Sequence, residues 1–97
     1  MAVTHNPDEK HISLVAAGDE VELPLYVKSI RIVSDAPTDA DRVQLTNATG
    51  SAVTIWETYI SGTNEYVEEV LMERFWHRGV RLNTNTGDRA DVHIYYA

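Results

Sequence analysis

Apolar residues in this chain fall on every second position, in short runs that turn residues interrupt roughly every 8 to 15 positions. Ile30 and Ile32 alternate with Ser29 and Arg31. Val43 and Leu45 alternate with Arg42, Gln44 and Thr46. Val80 and Leu82 alternate with Arg81 and Asn83, and Val92, Ile94 and Tyr96 with Asp91, His93 and Tyr95. Successive side chains of a strand point to opposite faces, so this period of two predicts strands with one buried and one open face. Val, Ile and Thr supply 26 of the 97 residues and Leu only 6, a balance that suits a pleated surface. The expectation is an all-β chain: an antiparallel β-sandwich of about eight short strands, jelly-roll-like, with an immunoglobulin-like sandwich as the alternative.

Residues 1–10 are polar, carry Pro7 and show no period; they read as an N-terminal arm, mobile on its own, with a single sandwich domain over 11–97. Pro24 cannot donate to a ladder, so the segment around it is an edge strand or breaks there. Asn47 to Ser51 (NATGS) reads as a hairpin turn. The strand after it, from Ala52, would place Val53 and Ile55 on the core face and Trp56 outward with Thr54 and Thr58. Glu65–His77 is ambiguous. Val67, Val70, Leu71 and Phe75 fit a helical stripe, but no capping box precedes them, and Glu69 with Glu73 and Arg74 with Arg78 would repel at i, i+4. The favoured reading is a strand over Glu65–Val70, an irregular link, and a new strand from Gly79.

Eight basic against 15 acidic residues give a net charge of −7. That balance excludes a uniformly basic nucleic-acid binder and a polybasic membrane-surface protein. Arg74, Arg78 and Arg81 are close in sequence but sit beside Glu68, Glu69 and Glu73. The chain has no cysteine, hence no disulfide, thiolate zinc site or thiol nucleophile. No apolar run has the length of a membrane span or of a signal-peptide core, which reads as synthesis in the cytoplasm.

Little in the sequence points to catalysis, and the reading is non-enzymatic, without catalytic residue, cofactor or metal. His5, His11, His77 and His93 include no H-x-H or H-x-x-x-H pair, and read as solvated or half-buried side chains. Asp35, Asp39 and Asp41 share a loop, but calcium-loop spacing is missing; they read as acceptors of turn hydrogen bonds, and calcium is not expected to be needed for folding. Glu65, Glu68, Glu69 and Glu73 read as a solvated face that discourages edge pairing rather than as paired hydrolytic carboxylates.

Surface aromatic content remains. Outward aromatics are enriched at interfaces. Trp56, Tyr59, Trp76 and Tyr95 are the candidate anchors of a protein contact, and Arg74, Arg78 and Arg81 its candidate polar rim. Of Phe75 and Trp76, neighbours in sequence, at most one can follow the core pattern.

From Tyr26 onward the chain resembles small structural proteins of bacteriophage and prophage virions. YVKSIRIVSDAP is similar to their opening strand and loop, and DRVQLTNATGSAVTIWE to their central hairpin. VEEVLMERFWHRGVRLNTNTGDRADVHIYYA is similar to their closing half, which ends in paired tyrosines. The resemblance covers roughly 70 residues and leaves Met1 to Leu25 unmatched. It implies a small β-sandwich that associates with itself, with a trimer the expected number, and that decorates or cements a capsid by binding the major capsid protein or another virion protein. It implies no catalytic residues; the acidic balance gives no nucleic-acid or membrane partner. The alternative is a tail or baseplate module that stacks the same aromatics on a host-surface carbohydrate.

Overall fold

A computed structural model describes residues 3–48 and 53–97. Within them the chain forms nine strands: β1 (Val3–Asn6), β2 (His11–Leu14), β3 (Glu20–Val21), β4 (Leu25–Ser34), β5 (Asp41–Thr46), β6 (Thr54–Ile60), β7 (Tyr66–Trp76), β8 (Val80–Asn85) and β9 (Asp91–Tyr96). A single 3-10 turn, Thr86–Asp88, joins the last two. The strands make two antiparallel sheets, ordered β1-β2-β9-β4-β7 and β3-β8-β5-β6. Without β1 this is the double Greek key of a jelly roll, four strands on each side. The strand order sets aside the immunoglobulin alternative, whose sheets pair different neighbours.

The alternation read from the sequence builds the core. Ile12, Leu14, Val27, Ile30, Ile32, Val92 and Ile94 face inward from the five-stranded sheet. Val21, Val43, Leu45, Ile60, Val80 and Leu82 meet them from the four-stranded sheet, all buried. Each such aliphatic side chain taken from water contributes about 1.5–3 kcal/mol before chain entropy is set against it. The pleat changes phase once along β4. Leu25 and Val27 point in, then Ile30 and Ile32, because the register with both β7 and β9 slips between Val27 and Ser29. Such a bulge lets one strand keep its apolar residues inward across a kink.

Buried polar groups tie the loops to this core. Asn85 donates from Nδ2 to the carbonyls of Val15 (2.6 Å) and Ala90 (2.8 Å) and accepts the Ala90 N–H at Oδ1 (3.2 Å). Asp19 caps the β2–β3 loop, its Oδ2 accepting the N–H of Ala16 at 3.0 Å. Each satisfies backbone groups that would otherwise be stranded away from water.

Three sequence readings change. Val3–Asn6, expected in an arm, pair with β2 as an edge strand. The segment Glu65–His77 contains no helix, and in place of the expected link after Val70 strand β7 continues through Trp76, its pairing with β4 slipping once between Leu71 and Arg74. Trp56 lies opposite the buried Leu45 and packs on the core, while Val53 is exposed. The reason is a bulge: Thr54 and Trp56 oppose the neighbours Thr46 and Leu45, so Ile55 is an extra residue and the phase before it is inverted. The tip of the NATGS hairpin, from residue 49 on, lies outside the described residues, although the strands it joins are paired.

Candidate functional site

The residues singled out as a contact surface divide among the core and three separate places. Trp76 is a core residue, 4 % exposed, and its indole Nε1 is buried with no hydrogen-bond partner among the described residues. Trp56 is half-buried. The buried Trp76 is not available as a flat anchor. Tyr59 and Arg81 lie on the outer face of the four-stranded sheet. The Arg42 guanidinium sits 5.8 Å from the Tyr59 ring centre and is fixed by Glu57, 2.8 Å from its Nε. Arg81 approaches Glu20 at 3.9 Å. Arg74 and Arg78 border a cleft at one end of the sandwich, and Tyr95 belongs to the outer face of the five-stranded sheet.

That outer face carries most of the large hydrophobic side chains that are exposed among the described residues. One row across it runs Asn6, His11, Tyr95, Ser29 and Leu71, with Tyr26 and Phe75 paired alongside and Val67 beyond. Leu71 is 74 % exposed, and Val67, Phe75, Tyr26 and Tyr95 are exposed as well. Single exposed apolar residues are ordinary, whereas several on one sheet face mark a contact surface. The His11 ring stacks on Tyr95 (4.9 Å between centres) and on His93 (5.1 Å), with His11 Nε2 3.0 Å from His93 Nδ1. Burial, and then the neighbouring His11, hold His93 below its ordinary pKa. Two neutral imidazoles can share one hydrogen bond; two imidazolium ions cannot.

The cleft has a volume of about 450 Å³ and is lined by Val53, Ile55, Phe75, Trp76 and Asn47, with Arg74, His77 and Arg78 at its border. Arg74 and Arg78 form no ion pair among the described residues. Two of the loop aspartates tie the β4–β5 loop to its surroundings: Asp39 accepts the Gly62 N–H of the β6–β7 loop at 2.7 Å, and Asp41 accepts the Thr38 N–H at 2.9 Å and a fork from Arg89. Among the described residues no group of three His, Asp or Glu could hold a metal ion.

Sequence reasoning missed Leu71, Val67, Phe75 and Tyr26. The signal was present in the i, i+4, i+8 spacing of Val67, Leu71 and Phe75. Four is a multiple of two, so that spacing marks one face of a strand as well as one face of a helix. The spatial pairs His11–His93 and His5–Tyr96 (2.5 Å) had no sequence signal, because strand pairing joins residues more than 80 positions apart. The chain matches no known protein-family model, and no curated protein or solved structure is significantly similar to it.

Proposed function

We propose that this protein is a non-enzymatic structural component of a bacteriophage virion, a capsid decoration or cement protein that acts through protein–protein contacts. The observation that carries the contact reading is the outer face of the five-stranded sheet, where Tyr26, Val67, Leu71, Phe75 and Tyr95 stand together in water. The virion setting rests on the resemblance of residues 26–97 to phage structural proteins. The jelly roll is compatible with it, since viral capsid domains use that architecture, but so do lectin domains, and fold alone assigns no function. A decoration protein stabilises a shell by mass action: it binds the assembled form and lowers its free energy by the binding energy.

The test uses shells that lack the protein. The wild type should bind them and raise their disruption temperature. A Tyr26→Ser/Tyr95→Ser variant should keep its own melting temperature and lose most binding, since central aromatic anchors typically carry about 2 kcal/mol or more each. Wild-type protein that leaves shell stability unchanged sinks the decoration reading.

A second reading rests on the cleft. Phe75 offers a partly exposed ring beside Asn47, Arg74 and Arg78, a combination that could stack and hydrogen-bond an acidic sugar of the host surface. The 4 % exposure of Trp76 removes it as a stacking platform. Glycan binding abolished by Phe75→Ala would favour this reading.

A further inference from the structure

Strand β7 closes the five-stranded sheet and, among the described residues, has no partner strand on its outer side. It is eleven residues long, and its free edge presents alternate N–H and C=O groups to solvent. Its sequence, Tyr66-Val-Glu-Glu-Val-Leu-Met-Glu-Arg-Phe-Trp76, is a palindrome in chemical class about Leu71. Aromatic Tyr66 mirrors Trp76, and apolar Val67 mirrors Phe75. Glu68 mirrors Arg74, its opposite charge. Glu69 mirrors Glu73, and Val70 mirrors Met72.

We propose that β7 pairs antiparallel with β7 of a second copy of this chain, about a two-fold axis through Leu71, to form one continuous sheet of ten strands. Residues opposite each other in an antiparallel pair share a face, so the two positions in each pair must be both inward or both outward. That parity restricts self-pairing to registers shifted in steps of two. The register centred on Leu71 alone overlaps the whole strand. It sets Leu71 against Leu71 of the partner subunit and Val67 against the partner's Phe75, all on the outer face, where each is exposed in the single chain. It also sets Glu68 against the partner's Arg74 twice. Arg74 has no ion pair among the described residues, and Glu68 accepts a hydrogen bond from the Tyr66 hydroxyl at 2.7 Å.

The acidic residues of β7 would ordinarily discourage edge pairing. In this register only Glu69 meets a like charge, the partner's Glu73. Glu69 already lies beside Arg31 on β4, which sets a cation next to one member of that pair. An isologous contact closes at two copies. This inference does not rest on the virion reading, although Val67, Leu71 and Phe75 belong to the same outer face.

Sedimentation equilibrium on the whole chain, from micromolar to high micromolar concentration, tests it. The expected mass is twice 10.9 kDa at the upper end. Leu71→Lys places two ammonium groups at the axis and should weaken the dimer by at least about tenfold. Because Leu71 is solvent-exposed, the variant should keep the wild-type circular dichroism and melting temperature. Glu68→Arg and Arg74→Glu should each weaken the dimer by about tenfold, and the double variant Glu68→Arg/Arg74→Glu should restore it. A single-chain mass at every concentration overturns the proposal, as does a mass of three chains. So does a dimer indifferent to Leu71→Lys, or charge reversals that the double variant fails to rescue.

Discussion

Arg89 grips Asp41 with two parallel hydrogen bonds, Nε to Oδ2 at 2.7 Å and Nη2 to Oδ1 at 2.6 Å. Asp41 begins β5 and is buried; Arg89 leads into β9 and is 35 % exposed. The fork therefore joins the two sheets at one end of the sandwich. Planar bidentate geometry is what a guanidinium supplies and an ammonium does not. The Arg89 hydrogen bonds, with the Thr38 N–H, hold the Asp41 carboxyl below the usual carboxylate range against the opposing effect of burial.

The fork should be visible in acid unfolding. A carboxylate whose folded pKa is depressed contributes stability that is fully present above its unfolded value of about 3.9 and is lost as pH falls through the folded value. Asp41→Asn should lower stability by about 2 kcal/mol at neutral pH, less than the 3–5 of a fully buried pair because Arg89 is partly solvated. It should also flatten the stability profile below pH ~4. Urea unfolding as a function of pH reads both. A profile as steep in the variant as in the wild type would assign the acid sensitivity to other carboxylates.

The His11–His93 contact gives a second pH window. His93 is held below its ordinary pKa by burial and then by His11. A histidine depressed on folding adds stability that is complete above its unfolded value of about 6.5 and is lost as pH falls through the folded one. The melting temperature should drop as pH falls below about 6.5, and His11→Asn, which removes the neighbouring imidazole, should reduce that drop. An NMR titration placing His93 above 6.5 would show the stack to favour the charged ring instead.

How much was legible varied with the physics. Where one face is buried and the ladder is regular, as at Val43 and Leu45, Val80 and Leu82, or Val92 and Ile94, the period of two dictates both strand and facing. Bulges are invisible to that period. The extra residue Ile55 inverts the phase of Val53 relative to Trp56, and nothing local in the sequence announces it. β7 read ambiguously because apolar residues occur on both of its faces, Val70 and Met72 inward, Val67 and Leu71 outward. The candidate surface was legible only in Tyr95; the rest depended on knowing that β7 is a strand and which strand it lies beside.

Gly79 shows a backbone constraint that a turn signal only hints at. It has φ +70°, and a Cβ there would lie 2.1 Å from the Val21 carbonyl oxygen. Both the left-handed backbone and the close approach of β3 require glycine. Gly79→Ala should destabilise by at least the ~1–3 kcal/mol typical of a strained residue, and should loosen the β3–β8 pairing. Thermal unfolding and hydrogen exchange at Val21 and Val80 measure the two effects. Gly62, with φ +79° but open space around it, should lose less when changed to alanine, which separates backbone strain from the clash.

Trp56 decides whether the bulge in β6 is placed correctly. With Ile55 as the extra residue, the indole lies across from Leu45 and packs on the core from the inner face of the four-stranded sheet. Removing a buried aromatic side chain costs about 3–5 kcal/mol; a half-buried one should fall below that range, at about 2–3. Trp56→Ala should therefore lower the melting temperature markedly, while Val53→Ala, at an exposed position, should change stability by less than about 0.5 kcal/mol. The alternation without a bulge predicts the reverse: Val53 costly, Trp56 silent. Tryptophan fluorescence supplies an independent readout. Both Trp56 and the buried Trp76 should emit from partly or wholly apolar surroundings and shift to longer wavelength only on unfolding, whereas a solvated Trp56 would be quenched freely by iodide in the folded protein.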